Sequence, residues 1–216
     1  MFGAVWDLDG TLVDTATNHY AAWRTLLREH GRDLRYEEFR PTFGLRNDDI
    51  LVHHLGFDPD PARIAALGER KEELFRASLE REGVRTQPGA RELVEHLYGL
   101  GARQAIASSA PPANIDLMVR LLSLPFDAVV SGEEVARGKP APDIFLRAAE
   151  RLDLPPTRVV VTEDAPAGVE AAKAAGSRVI AIAATFPAES LAADLVVRSF
   201  AEVLWPAEQW ERFLGA

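Results

Sequence analysis

Two pairs of carboxylates lie where apolar runs give way to turns. Asp7 and Asp9 follow the run 2–6 and precede Gly10-Thr11. The two-residue period of a strand points both side chains to one side. Like charges crowded in this way raise each other's pKa unless a cation or a shared proton relieves them. A metal site is one reading; turn or cap residues are the other. The second pair, Glu163-Asp164, follows Val159-Val160-Val161-Thr162 and precedes a helix starting near Pro166. Asp164 suits an N-cap there, but Glu163 is not explained by capping. If the two strands are neighbours, up to four carboxylates converge. A hard oxygen set without His or Cys favours Mg²⁺.

Ser108-Ser109 ends the run 103–107 ahead of another helix, where hydroxyls and free N–H groups make either an anion site or an N-cap. Lys139, in Gly138-Lys139-Pro140, also precedes a helix. By itself it reads as a solvated lysine. Acid nest, hydroxyl, lysine and helix N-terminus together are what a phosphate needs.

These residues need elements to position them. Apolar runs at 2–6, 103–107, 127–130, 158–161, 178–183 and 195–197 are near-continuous, as suits parallel strands buried on both faces. Helical patterns at 90–98, 111–122, 142–152 and 166–175 alternate with them, which predicts a doubly wound α/β core. The alternation breaks between residues 15 and 86. Helical patterns at 16–30, 47–54 and 61–81 predict an all-helical insert after the first strand, with 1–14 and 87–216 forming the core. A closing amphipathic helix at 206–214, with Trp205, Trp210 and Phe213, is expected to pack on that core.

The 216 residues are 47% apolar and 26% charged, enough for a sizeable core. Lys and Arg number 24 against 33 Asp and Glu, for a net charge of −9 with no basic run. That disfavours nucleic acid and anionic membranes as partners. With no Cys, thiolate chemistry and disulfides are excluded. No apolar stretch approaches the ~20 residues of a membrane span. The opening residues lack a basic segment followed by an apolar one, so a cytoplasmic location is the expectation.

The string Asp7-Leu8-Asp9-Gly10-Thr11-Leu12-Val13-Asp14-Thr15 resembles the first motif of the haloacid dehalogenase superfamily. Ser108, Lys139 and Glu163-Asp164 match its second, third and fourth motifs in order, and the insert resembles its helical cap. Asp14-Thr15-Ala16 with His19 and Trp23, and Thr162-Glu163-Asp164-Ala165-Pro166-Ala167-Gly168, are most similar to the β-phosphoglucomutase-like branch.

The resemblance implies a Rossmann-like parallel sheet of order 3-2-1-4-5-6 under an inserted helical cap. It implies that Asp7 attacks phosphorus to form an aspartyl-phosphate and that Asp9 serves as general acid, then base. Mg²⁺ would be held by Asp7, the Asp9 backbone carbonyl and Asp164, with Glu163 beside them. Ser108, Lys139 and N–H groups near Gly10 and Ser109 would hold the phosphoryl group. The cap candidates for substrate selection are His19, Arg46, Asn47 and Lys71. For Lys71, in Glu69-Arg70-Lys71-Glu72-Glu73, a solvated helix face is the competing reading. Trp23 and Leu27 read as cap core. Mutases of the branch grip a second phosphate with an arginine after a Gly-x-x pattern. Here Gly44-Leu45-Arg46-Asn47 puts Asn47 there, which weakens the mutase reading.

The expected function is Mg²⁺-dependent hydrolysis of a small phosphate monoester, such as a sugar phosphate, by a monomer. A β-phosphoglucomutase-type sugar-phosphate mutase is the alternative. A non-enzymatic phospho-Asp switch is the remote one, since receivers of that type lack a long insert.

Overall fold

The structure is a computed structural model that describes residues 1–42 and 45–215. The chain divides into two compact units, Met1–Asp14 with Arg85–Ala216 and Thr15–Val84. The expected boundary at 86/87 and this one at 84/85 differ because backbone bonds tie the return linker to the first unit. Asp14 N–H donates to Arg85 O at 2.8 Å, Gln87 N–H to Leu12 O at 3.0 Å, and Val13 pairs antiparallel with Thr86.

The first unit holds a six-stranded sheet of β1 (Gly3–Trp6), β2 (Arg103–Ser108), β3 (Ala128–Ser131), β4 (Val159–Glu163), β5 (Arg178–Ile182) and β6 (Leu195–Val197). Every pairing is parallel and the order is β3-β2-β1-β4-β5-β6. The Val- and Ala-rich runs suit burial on both faces. One face packs Val5, Ala105, Val161 and Val179 against Ile144, Phe145 and Val169. On aromatic residues, the unit also buries Trp6 edge-on to Phe200 at 5.5 Å, and Trp210 stacked on Phe2 at 6.0 Å. Trp210 belongs to the closing helix, Ala207–Phe213, which is thereby fixed to the core. Full burial of each such ring contributes on the order of 2–3 kcal/mol.

Register decides where the chemistry stands. Trp6, the last residue of β1, is level with Ile106 of β2 and Thr162 of β4. The carboxyl ends of β1, β2 and β4, with Asp7, Ser108 and Glu163, therefore stand side by side at one edge of the sheet. The strand order reverses there, which is where open α/β sheets bind ligands.

The second unit is helical. It contains α1 (Ala16–Glu29), α2 (Tyr36–Phe39), α3 (Asn47–Asp49), a π-turn at Ile50–His54 and α4 (Pro61–Glu82). Asp60 caps α4 by accepting the Arg63 N–H at 2.8 Å, with Pro61 in the first turn. Trp23, Leu26, Leu27, Phe39, Ile50, Leu51 and Leu67 form its core. The pattern at 47–54 predicts one α-helix. Instead the turn widens to a π-turn, and Leu55 N–H bonds Ile50 O at 2.9 Å, so Ile50 and Leu51 are both buried. Among the described residues no helix is long and apolar enough to cross a membrane.

Candidate active site

Asp7 leaves β1 with its N–H still bonded to Thr162 O at 3.1 Å, and its side chain is buried. Lys139 Nζ donates to Asp7 Oδ1 at 2.5 Å and to Glu163 Oε1 at 2.7 Å. Glu163 Oε2 accepts the N–H groups of Asp164 at 2.8 Å and Ala165 at 2.9 Å, the entry to the helix Pro166–Ala174. Glu163, rather than Asp164, thus holds the helix start. Asp164 turns instead to the β1 loop, where Oδ1 accepts the Thr11 hydroxyl at 3.0 Å.

Two glycines make room for these carboxylates. A Cβ at Gly168 would collide with Glu163, and one at Gly10 would collide with Asp164. Gly10 also sits at φ +85°, a conformation glycine adopts freely.

Carboxylate oxygens of Asp7, Glu163 and Asp164 lie within 4.8 Å of one another. Burial pushes the Asp7 carboxyl up to about 7, with Glu163 and Asp9 adding to the rise and the Lys139 ammonium opposing it. Burial likewise raises Asp164 well above the usual carboxylate range, reinforced by Glu163 and Asp7 and opposed by Thr185 and Thr11. For Lys139, burial works against the charge, yet Asp7 and Glu163 outweigh it and hold the ammonium protonated. Three buried carboxylates against one ammonium leave an excess of negative charge in a low-dielectric place. The donors are all oxygen and all hard, a set that fits Mg²⁺ rather than zinc or copper.

The remaining candidates fall into distinct places. Asp9 is half-buried, and its side chain is outside the three-carboxylate group. Ser108 is buried at the end of β2, and its Oγ accepts the Ala110 N–H at 3.1 Å. Ser109 is exposed. Helix α6 (Pro112–Leu122) begins only after Pro111, so Ser108 shapes the turn ahead of the helix.

In the helical unit, Lys71 is 2% exposed, which corrects the solvated-face reading. Its Nζ donates to His19 Nδ1 and to Glu72 Oε1, both at 2.9 Å. With Lys71 protonated its Nζ can only donate, and the contact then requires the His19 tautomer that carries its proton on Nε2. The His19 ring stacks on Phe75 at 4.0 Å. Asn47 Nδ2 donates to the same Glu72 oxygen at 2.6 Å. Arg46 stands apart, exposed and bonded to Asp48 at 3.2 Å. Gly44 lies outside the described residues. Glu72, Thr11 and Thr185 escaped the sequence reading. One signal was available for this cluster: Leu67, Lys71, Phe75 and Leu79 recur every four residues along the buried face of α4.

Residues 3–176 match the haloacid dehalogenase-like hydrolase family. The chain belongs to this family. Hexitol phosphatase A of Escherichia coli (strain K12) is 37% identical over 203 residues, covering 93% of this chain and 92% of that protein. Among solved structures, CbbY from Rhodobacter sphaeroides in complex with phosphate superposes with a TM-score of 0.83 at 32% identity, covering 94% and 96% of the two chains. β-Phosphoglucomutase from Clostridium difficile, at 23% identity, shares the fold with a TM-score of 0.81 over 99% of this chain and 97% of that one. The family member described here has the architecture of the β-phosphoglucomutase-like branch.

Proposed function

We propose that this hydrolase cleaves a small phosphate monoester of a sugar or polyol through a phosphorylated Asp7. The observation that carries the reading is the cluster of buried Asp7, Glu163 and Asp164 with half-buried Lys139 at the carboxyl edge of the sheet. The names of relatives such as hexitol phosphatase A support the substrate class.

In the first step an Asp7 carboxylate oxygen attacks phosphorus. The bond from phosphorus to the substrate oxygen breaks, and Asp9 gives that oxygen its proton. In the second step Asp9 takes a proton from a water that attacks the same phosphorus. Inorganic phosphate leaves and Asp7 is restored. Lys139, Ser108 and N–H groups near Gly10 and Ser109 hold the phosphoryl oxygens. Asp7, Glu163, Asp164 and the Asp9 carbonyl would hold Mg²⁺, which supplies charge neutralisation for the phosphoryl group when bound.

The helical unit Thr15–Val84 is the candidate cap, and His19, Asn47 and Lys71 are its candidates for substrate selection. Asn47 is engaged by Glu72 and Arg46 by Asp48, which supports hydrolysis over a mutase that must also grip a second phosphate. One chain carries every proposed group, so the monomer is the working unit. The deciding experiment is a phosphate-release panel of sugar and polyol phosphates run beside an isomerisation assay with β-glucose 1-phosphate. Phosphate release without isomerisation is expected. Isomerisation without release would overturn the reading.

A further inference from the structure

Gly10 joins the proposed acid, Asp9, to Thr11, whose hydroxyl holds Asp164. Glycine is the most flexible residue in a chain, so a loop built on it presents its neighbours loosely unless its peptide groups are tied. Both are tied here. The Gly10 N–H donates to Val13 O at 2.8 Å, and the Gly10 carbonyl accepts the Gln87 side-chain amide at 2.9 Å.

Gln87 is well placed for this. It is 9% exposed, at the end of the return linker and the start of α5 (Ala90–Gly99). Its own N–H is bonded to Leu12 O at 3.0 Å, and its carbonyl accepts Ala90 N–H at 3.0 Å. The next residue is fixed too: the Pro88 carbonyl accepts Phe200 N–H at 2.8 Å and the Ser199 hydroxyl at 3.1 Å. Gly89, at φ +75°, lies so close to the Ala201 backbone that a Cβ there would collide with it. The Gln87 amide is therefore held by a rigid base and reaches the carbonyl of the residue between Asp9 and Thr11.

We propose that Gln87 is a positioning residue for the acid step: its amide fixes the Gly10 carbonyl and thereby the direction in which Asp9 presents its proton. The proposal rests on the acid role given to Asp9 above. Without the amide, the Gly10 carbonyl loses its buried partner and the Asp9 loop can rotate.

The test exploits the leaving group. An alkoxide needs a proton as it departs; a 4-nitrophenolate does not. Gln87→Met keeps the length of the side chain and removes the donor. Single-turnover cleavage of glucose 6-phosphate should fall roughly 10- to 100-fold, as expected for a misplaced general acid. Single-turnover release of 4-nitrophenolate, which reads the first step alone and not the second step in which Asp9 is the base, should change by less than about threefold. If Gln87→Met does not fold, Gln87→Asn, which keeps the amide on a shorter arm, should give the same split. Equal losses with both substrates, or no loss with either, would overturn the proposal. If the unaltered protein releases no phosphate from 4-nitrophenyl phosphate or from any member of the sugar and polyol phosphate panel, the hydrolase reading itself has failed.

Discussion

The hydroxyl of Thr11 stands 3.0 Å from the carboxylate of Asp164, joining two loops separated by 153 positions in the chain. The bond fixes one oxygen of Asp164 beside the segment that carries Asp7 and Asp9. It also offsets part of the cost of burying that carboxylate. The acid cluster is held by bonds between loops as well as by the sheet beneath it.

Asp7→Asn should reduce phosphate release by roughly three orders of magnitude or more, because the amide is a poor nucleophile toward phosphorus. The thermal midpoint should not fall, since the substitution removes a buried acid and keeps its shape. Appreciable turnover with every tested phosphate ester would contradict the assigned nucleophile.

The metal-free protein should lose stability as pH rises. Burial lifts the Asp7 carboxyl from its ordinary 3.8 to about 7, so the folded chain binds that proton more tightly than the unfolded chain. Stability from this group is complete below the unfolded value and is lost as pH climbs through the folded one. Asp164 is shifted in the same direction. In EDTA, the melting temperature should decline between about pH 5 and about pH 7, with a smaller decline in excess Mg²⁺. A melting temperature that rises across this range in EDTA would contradict it.

Chelation should stop turnover, and Mg²⁺ should restore it. The assay is phosphate release from an EDTA-treated sample titrated with MgCl₂. Full activity without added divalent ion would show that Asp7, Glu163 and Asp164 meet for another reason.

Lys71→Ala should be costly in two ways. Lys71 and Glu72 are both buried, and removing one partner leaves a charge without its counter-ion, an effect of about 3–5 kcal/mol. His19 also loses the donor that sets its tautomer. Denaturant unfolding should show the destabilisation, and the substrate panel a changed preference. The pair Lys71→Met with Glu72→Gln should recover most of the stability but not the preference.

Gly168→Ala should displace Glu163, because the added Cβ would occupy the space of its carboxylate. Helix propensity alone favours Ala over Gly by about 1 kcal/mol. A fall in activity together with weaker Mg²⁺ binding, measured by calorimetry, would show that the clash dominates. Unchanged activity would show that Glu163 can move without consequence.

The acid pairs were legible because they close unbroken apolar runs, and a strand end followed by a turn is a strong local signal. Asp7, Glu163 and Asp164 meet for that reason, and Lys139, which alone reads as solvated, joins them from the loop ahead of a helix. Most strand positions could be read in the same way, to within a residue or two, whereas the sheet order followed from the family resemblance. Partners that act through hydrogen bonds across the chain left no such mark. Nothing in the letters places Thr11 on Asp164, or Glu72 between Asn47 and Lys71. Lys71 reads as surface because charged neighbours flank it. Its four-residue spacing from Leu67 and Phe75 was the better guide.

The paired backbone at Val13 and Thr86 has a practical corollary. The outgoing and returning threads leave the sheet as immediate neighbours, with Asp14 bonded to Arg85 at 2.8 Å. A foreign segment whose two ends are similarly close could be spliced there at little entropic expense, whatever its length. On the cap role proposed for that segment, exchanging it would alter specificity and leave the carboxylate cluster of the first unit as it is.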